Sequence, residues 1–81
     1  MAVDNLSLAT LPLGVAAEIV RVSARGVIKR RLLEMGVVRG STVVVERVAP
    51  LGDPIEIRVK GYHLSLRREE AAAIDVRKLV A

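Results

Sequence analysis

Two five-residue runs, Ile55–Val59 and Tyr62–Leu66, are separated only by Lys60-Gly61, and this spacing leaves the chain little choice of fold. In the first run Ile55, Ile57 and Val59 alternate with Glu56 and Arg58; in the second Tyr62, Leu64 and Leu66 alternate with His63 and Ser65. A period of two is the mark of a strand with one buried face. A two-residue connection ending in glycine supplies the positive φ of a tight hairpin turn. The pairs are then Val59 with Tyr62, Ile57 with Leu64 and Ile55 with Leu66, so every apolar residue meets an apolar partner on one face. A slip of one residue would turn the whole apolar set outward, so the register is determined. Tyr62 is expected in the core.

The surrounding residues, 30–73, add further elements at close intervals. Upstream, residues 27–35 predict a helix in which Ile28, Leu32 and Met35 recur at i, i+4 and i+7 as one buried stripe, with Lys29, Arg30 and Arg31 beside it. Gly36 supplies the left-handed residue that ends such a helix. After a turn at 37–41, the valine-rich run 42–49 reads as a strand and 49–54, APLGDP, as a loop. The register across that loop has two sensible choices, one opposing Arg47 to Glu56 and the other Glu46 to Arg58. Residues 68–73 predict a single helical turn and 74–80 a last strand, while 16–22 predict a first strand. Ser7 is placed to cap a short helical turn that Pro12 stops. The expected order is strand, helix, three strands, helical turn, strand. Five strands in so short a chain pack best as a small, strongly bent barrel, and an SH3-like barrel fits the count and the turn before the last strand. The whole of 1–81 is expected to form a single domain.

Composition narrows the function. Of 81 residues 52% are apolar, yet Tyr62 is the lone aromatic, so the core is one of Val, Leu, Ile and Ala. Asp4, Pro12 and Gly14 are wrong for a signal peptide, no apolar run is long enough to span a membrane, and there is no cysteine to argue for secretion. These features predict a cytoplasmic protein that is not itself a membrane protein. The net charge of +4 is compatible with an anionic partner and equally with plain solubility. Catalytic chemistry lacks its usual groups: His63 is the single histidine and is expected on a solvated face, and Glu69 and Glu70 are adjacent on a helical turn, where they favour its positive end. No enzyme, no cofactor and no metal site are expected, since soft and borderline metals want several Cys or His. Self-association through unpaired strand edges stays open.

The motifs RRLLEMG at 30–36, RGS at 39–41, APLGDP at 49–54 and GYHLSLRREEA at 61–71, with LATLPLG at 8–14 before them, occur in an order and spacing that closely resemble the FeoA family. These are small cytosolic accessory proteins of bacterial ferrous-iron uptake. The resemblance implies an SH3-like barrel, a binding module rather than an enzyme, and as partner FeoB, the membrane iron transporter with a cytosolic G-protein domain. It also implies transition-metal binding in some members, which the ligand-poor residues here do not support on their own. By the way SH3-like barrels bind through loops and the groove beside the barrel, the implied contact surface is Lys29, Arg30, Arg31, Leu32 and Met35 on the helix with Leu51, Gly52 and Asp53 in the loop. Leu51 has a physical argument as well: a large apolar residue at a turn tip has no core to enter and often marks an interface. Plain turn chemistry accounts for Gly52-Asp53-Pro54 equally well, and for Leu32 and Met35 helix packing on the barrel is the stronger account. Two other readings remain: an RNA-binding SH3-like barrel, disfavoured by the shortage of aromatic stacking platforms, and the regulatory SH3-like domain of iron-dependent repressors, whose helix-turn-helix this chain lacks.

Overall fold

The computed structural model describes residues 5–79. Strands β1 (Asn5–Ser7), β2 (Ala16–Val22), β3 (Thr42–Val48), β4 (Ile55–Val59), β5 (Tyr62–Leu66) and β6 (Ile74–Lys78) form one sheet in the order β1-β6-β2-β3-β4-β5. Every ladder is antiparallel. Helix α1 (Gly26–Glu34) joins β2 to β3, and a short α2 (Arg68–Ala72) joins β5 to β6. A single 3-10 turn, Leu8–Thr10, follows β1.

The hairpin of β4 and β5 has the register its alternation predicts, Val59 to Tyr62, Ile57 to Leu64 and Ile55 to Leu66. Lys60 and Gly61 both have positive φ, 52° and 79°, which is the type I′ geometry that follows the twist of the strands. Across the longer loop the register that opposes Arg47 to Glu56 is the one adopted, and Arg58 faces Val44 rather than Glu46. A bulge at Glu46 lets Val44 oppose Arg58 before it and Arg47 oppose Glu56 after it. The bulged Glu46 carboxylate still lies 3.4 Å from Arg58, while Arg47 lies 3.9 Å from Glu56. A second irregularity interrupts β2 between Ile19 and Arg21. Bulges of this kind increase twist and bend the strand, and here they curl the sheet so that Ile19, Val45, Ile57 and Val76 from four strands enter one core.

Helix α1 ends as Gly36 requires. Gly36 has φ 88°, its N–H donates to the Leu33 carbonyl (3.0 Å), and the Val37 N–H donates to Leu32 (2.9 Å), which is a Schellman closure. Val37 and Leu32 are both fully buried, so the apolar contact that accompanies the motif is present.

Several expectations need correction. The sheet has six strands rather than five, because β1 pairs with β6; three residues with one apolar member carry no periodic signal. It is also an open order among the described residues, with β1 and β5 at its two ends. The α1 stripe is not uniformly buried: Leu32 is, Met35 is half-buried, and Ile28 is 40% exposed. Tyr62 is 60% exposed, since β5 is an edge strand and its turn end projects beyond the core. Ser7 stands at the start of the 3-10 turn without a side-chain cap; instead its carbonyl accepts from the Thr10 hydroxyl at 3.0 Å. The last strand stops at Lys78, and residue 80 lies outside the described residues.

Candidate docking surface

Nine residues of α1 carry Val27, Ile28, Leu32 and Leu33, and successive side chains on a helix project about 100° apart. They cannot all face one core. Leu32 is completely buried, whereas Leu33 is 43% exposed and Val27 79% exposed. Leu33 lies at a shallow depression of 420 Å³ lined also by Gly26, Lys29, Arg30 and Glu34. An apolar floor with two cations on its rim is suited to an apolar side chain flanked by carboxylates.

The three basic residues expected to act together are divided. Lys29 and Arg30 face solvent at the depression, but Arg31 reaches α2 and pairs with Glu70. Glu70 is buried, and its other carboxylate oxygen accepts the Arg67 N–H at 2.8 Å. This one side chain therefore satisfies the start of α2 and ties it to α1. The role of Glu70 as an inter-helix anchor was not legible in its sequence position, which shows only an acidic residue in a first helical turn.

At the other expected region Leu51 is 95% exposed, the most exposed large apolar residue described. Gly52 has φ 84°, and a Cβ there would come within 3.2 Å of the Arg68 guanidinium. Asp53 accepts the Arg68 N–H at 3.1 Å and lies 3.9 Å from the Arg67 guanidinium. Asp53 thus fastens the loop to the start of α2, Gly52 leaves room there for the Arg68 side chain, and Leu51 is what the loop presents outward. Of the residues expected at a contact surface, Leu32 is the one whose side chain is sealed from solvent. Leu33, Val27 and Glu34 were not anticipated; the adjacent pair Leu32-Leu33 was the available signal, since two neighbouring leucines cannot both enter the same core.

His63 is exposed as expected, with Nδ1 2.7 Å from Glu46. Among the described residues no three His, Asp or Glu side chains converge in the manner of a metal site. No helix of the described residues is long and apolar enough to cross a membrane.

A small, strongly curved antiparallel sheet with a helix after its second strand and a helical turn before its last is the SH3-like fold described for solved relatives. One is a Stenotrophomonas maltophilia FeoA structure, described as complexed with zinc and as a prokaryotic SH3 domain protein; it is 33% identical, with a TM-score of 0.78 over 88% of each chain. The FeoA protein of Chlorobium tepidum is 44% identical, with a TM-score of 0.88 over 93% of this chain and 71% of that one. The FeoA domain model matches residues 6–78. The chain belongs to the FeoA family. Among curated proteins it is 51% identical over 71 residues to a Porphyromonas gingivalis fusion of Fe(2+) transport protein A with the Fe(2+) transporter FeoB; the match covers 88% of this chain and 8% of the fusion.

Proposed function

We propose that this chain is a non-enzymatic, cytoplasmic accessory module of ferrous-iron uptake, a single domain over 1–81 that docks on the cytosolic part of a FeoB-type transporter and assists or regulates it. The observation that carries the reading is the fused relative: a domain 51% identical to this one is covalently part of a chain that includes the transporter. Fusion holds two modules at high effective concentration, which is useful where the separate contact is weak. The surface proposed for that contact is the α1 depression with Lys29, Arg30 and Leu33, extended by Met35 and by Leu51 at the loop tip. Arg31, Leu32, Gly52 and Asp53 support it from behind.

Calorimetry with the purified cytosolic part of the transporter, with and without guanine nucleotide, tests the reading. We expect a dissociation constant of about 10 μM, in the range of small transient interfaces, weakened about tenfold by Leu33→Asp. No association at roughly tenfold higher concentration in either nucleotide state would remove it.

One observation favours a second reading. Tyr62 is exposed rather than buried, so a stacking platform for single-stranded RNA exists after all, though a single ring is a minimal one. That reading requires steep salt dependence that relaxes when Lys29 and Arg30 are neutralised. Absence of RNA binding at low salt eliminates it.

A further inference from the structure

Among the described residues, strand β5 ends the sheet. Its two-residue turn makes Val59 and Tyr62 a hydrogen-bonded pair, and alternation along the ladder gives the same status to Ile57 with Leu64 and Ile55 with Leu66. His63 and Ser65 are therefore the residues whose N–H and C=O groups point away from β4. Among the described residues no loop, cap or turn hydrogen bond takes them up. Beside this edge runs a groove of 240 Å³ lined by Glu34, Met35, Tyr62 and Leu64. Cations stand at both ends of the strand, Lys60 before it and Arg67 and Arg68 after it, all exposed. Neither Lys60 nor Arg68 joins a salt bridge among the described residues.

We propose that β5 is a docking edge for an extended peptide segment with alternating apolar residues and an acidic residue at each end. The segment adds to the sheet through the backbone of His63 and Ser65, as strand-addition complexes do. Its apolar side chains cover Tyr62, Leu64 and Met35, and its terminal carboxylates meet Lys60 at one end and Arg68 at the other. A second copy of the chain fits poorly. Each copy carries +4, and a two-fold antiparallel pairing centred on Leu64 would set Lys60 of one copy against Arg68 of the other. The inference rests on the reading above in one respect, that the segment belongs to the transporter's cytosolic part; the edge itself is tested without it.

The test uses the full chain, isotope-labelled for NMR, titrated with the capped heptapeptide EVTVTVE. Expected are saturable shifts centred on His63 and Ser65, slowed amide exchange at both, and a dissociation constant on the order of 0.1–1 mM. Ser65→Pro removes an outward N–H that no intramolecular bond uses, a position where an edge strand tolerates proline. It should weaken binding at least about tenfold, as should the charge-reversed peptide KVTVTVK. A heptapeptide N-methylated at alternate backbone nitrogens makes the same deletion from the ligand side and leaves the protein untouched. Equal binding of the methylated peptide or by Ser65→Pro, or shifts located elsewhere, overturns the proposal. Shifts at β5 on raising protein concentration alone assign the edge to a second copy and also overturn it. Should the transporter's cytosolic part bind wild type and Ser65→Pro alike, the docking edge falls and the transporter reading stands. Peptide binding at β5 without transporter binding gives the reverse.

Discussion

Glu70 joins two roles in one buried carboxylate, accepting the Arg67 N–H at 2.8 Å and pairing with Arg31 of the other helix. Its neighbour Glu69 is exposed. Glu70→Ala should lower stability by about 2 kcal/mol, combining a lost cap with a lost charge-assisted bond. Glu69→Ala should change it by less than about 0.5 kcal/mol. Urea midpoints at unchanged m separate the two; equal midpoints would remove Glu70 from its structural role. Sequence alone treats the pair as equivalent, because adjacent residues differ only in which way the helix points them. Leu51 is the opposite case: a leucine in the middle of APLGDP has nowhere to be buried, and its 95% exposure was readable in advance.

At the scale of the element, α1 combines a core contact and a solvent-facing apolar side in one nine-residue helix. Leu32→Ala should cost about 3 kcal/mol, as for truncation of a fully buried leucine. Leu33→Ser should cost less than about 1 kcal/mol and act instead on the transporter contact. Chemical denaturation alongside calorimetry distinguishes them, and a large stability loss for Leu33→Ser would place that residue in the core. The β3–β4 pair shows a different limit on reading a sequence. Alternation predicts β4 and β5 to the residue, but β3 carries an extra residue at Glu46, and a pattern of period two offers no place for it. Of the two candidate registers, the one opposing Arg47 to Glu56 holds; Glu46 is the bulged residue and meets Arg58 only through its side chain, 3.4 Å away.

For the whole molecule, charge and exposed apolar area are distributed unevenly. Lys29 and Arg30 rim the α1 depression, while Glu46 serves both Arg58 and His63 on the sheet. If the basic rim steers encounter with the transporter, the association rate should fall several-fold as salt rises from about 50 mM to about 0.5 M, with little change in dissociation rate. Stopped-flow measurements check this; a purely dissociation-rate effect would mean that the cations act only within the bound contact and would remove the steering role.

The amino-acid sequence by itself determined the family, the hairpin of β4 and β5, the end of α1 at Gly36 and the absence of the usual catalytic inventory. Each of these depends on residues close along the chain: alternation, a two-residue turn, a glycine after a helical stripe, or motifs in order. Tertiary structure alone decided that β1 joins β6, that the sheet keeps an edge at β5, that Tyr62 and Leu33 remain in solvent, and that Arg31 belongs to Glu70. These depend on which surfaces meet after the sheet has curled. Residues 39 positions apart, such as Arg31 and Glu70, leave no local pattern for such a meeting to be read from.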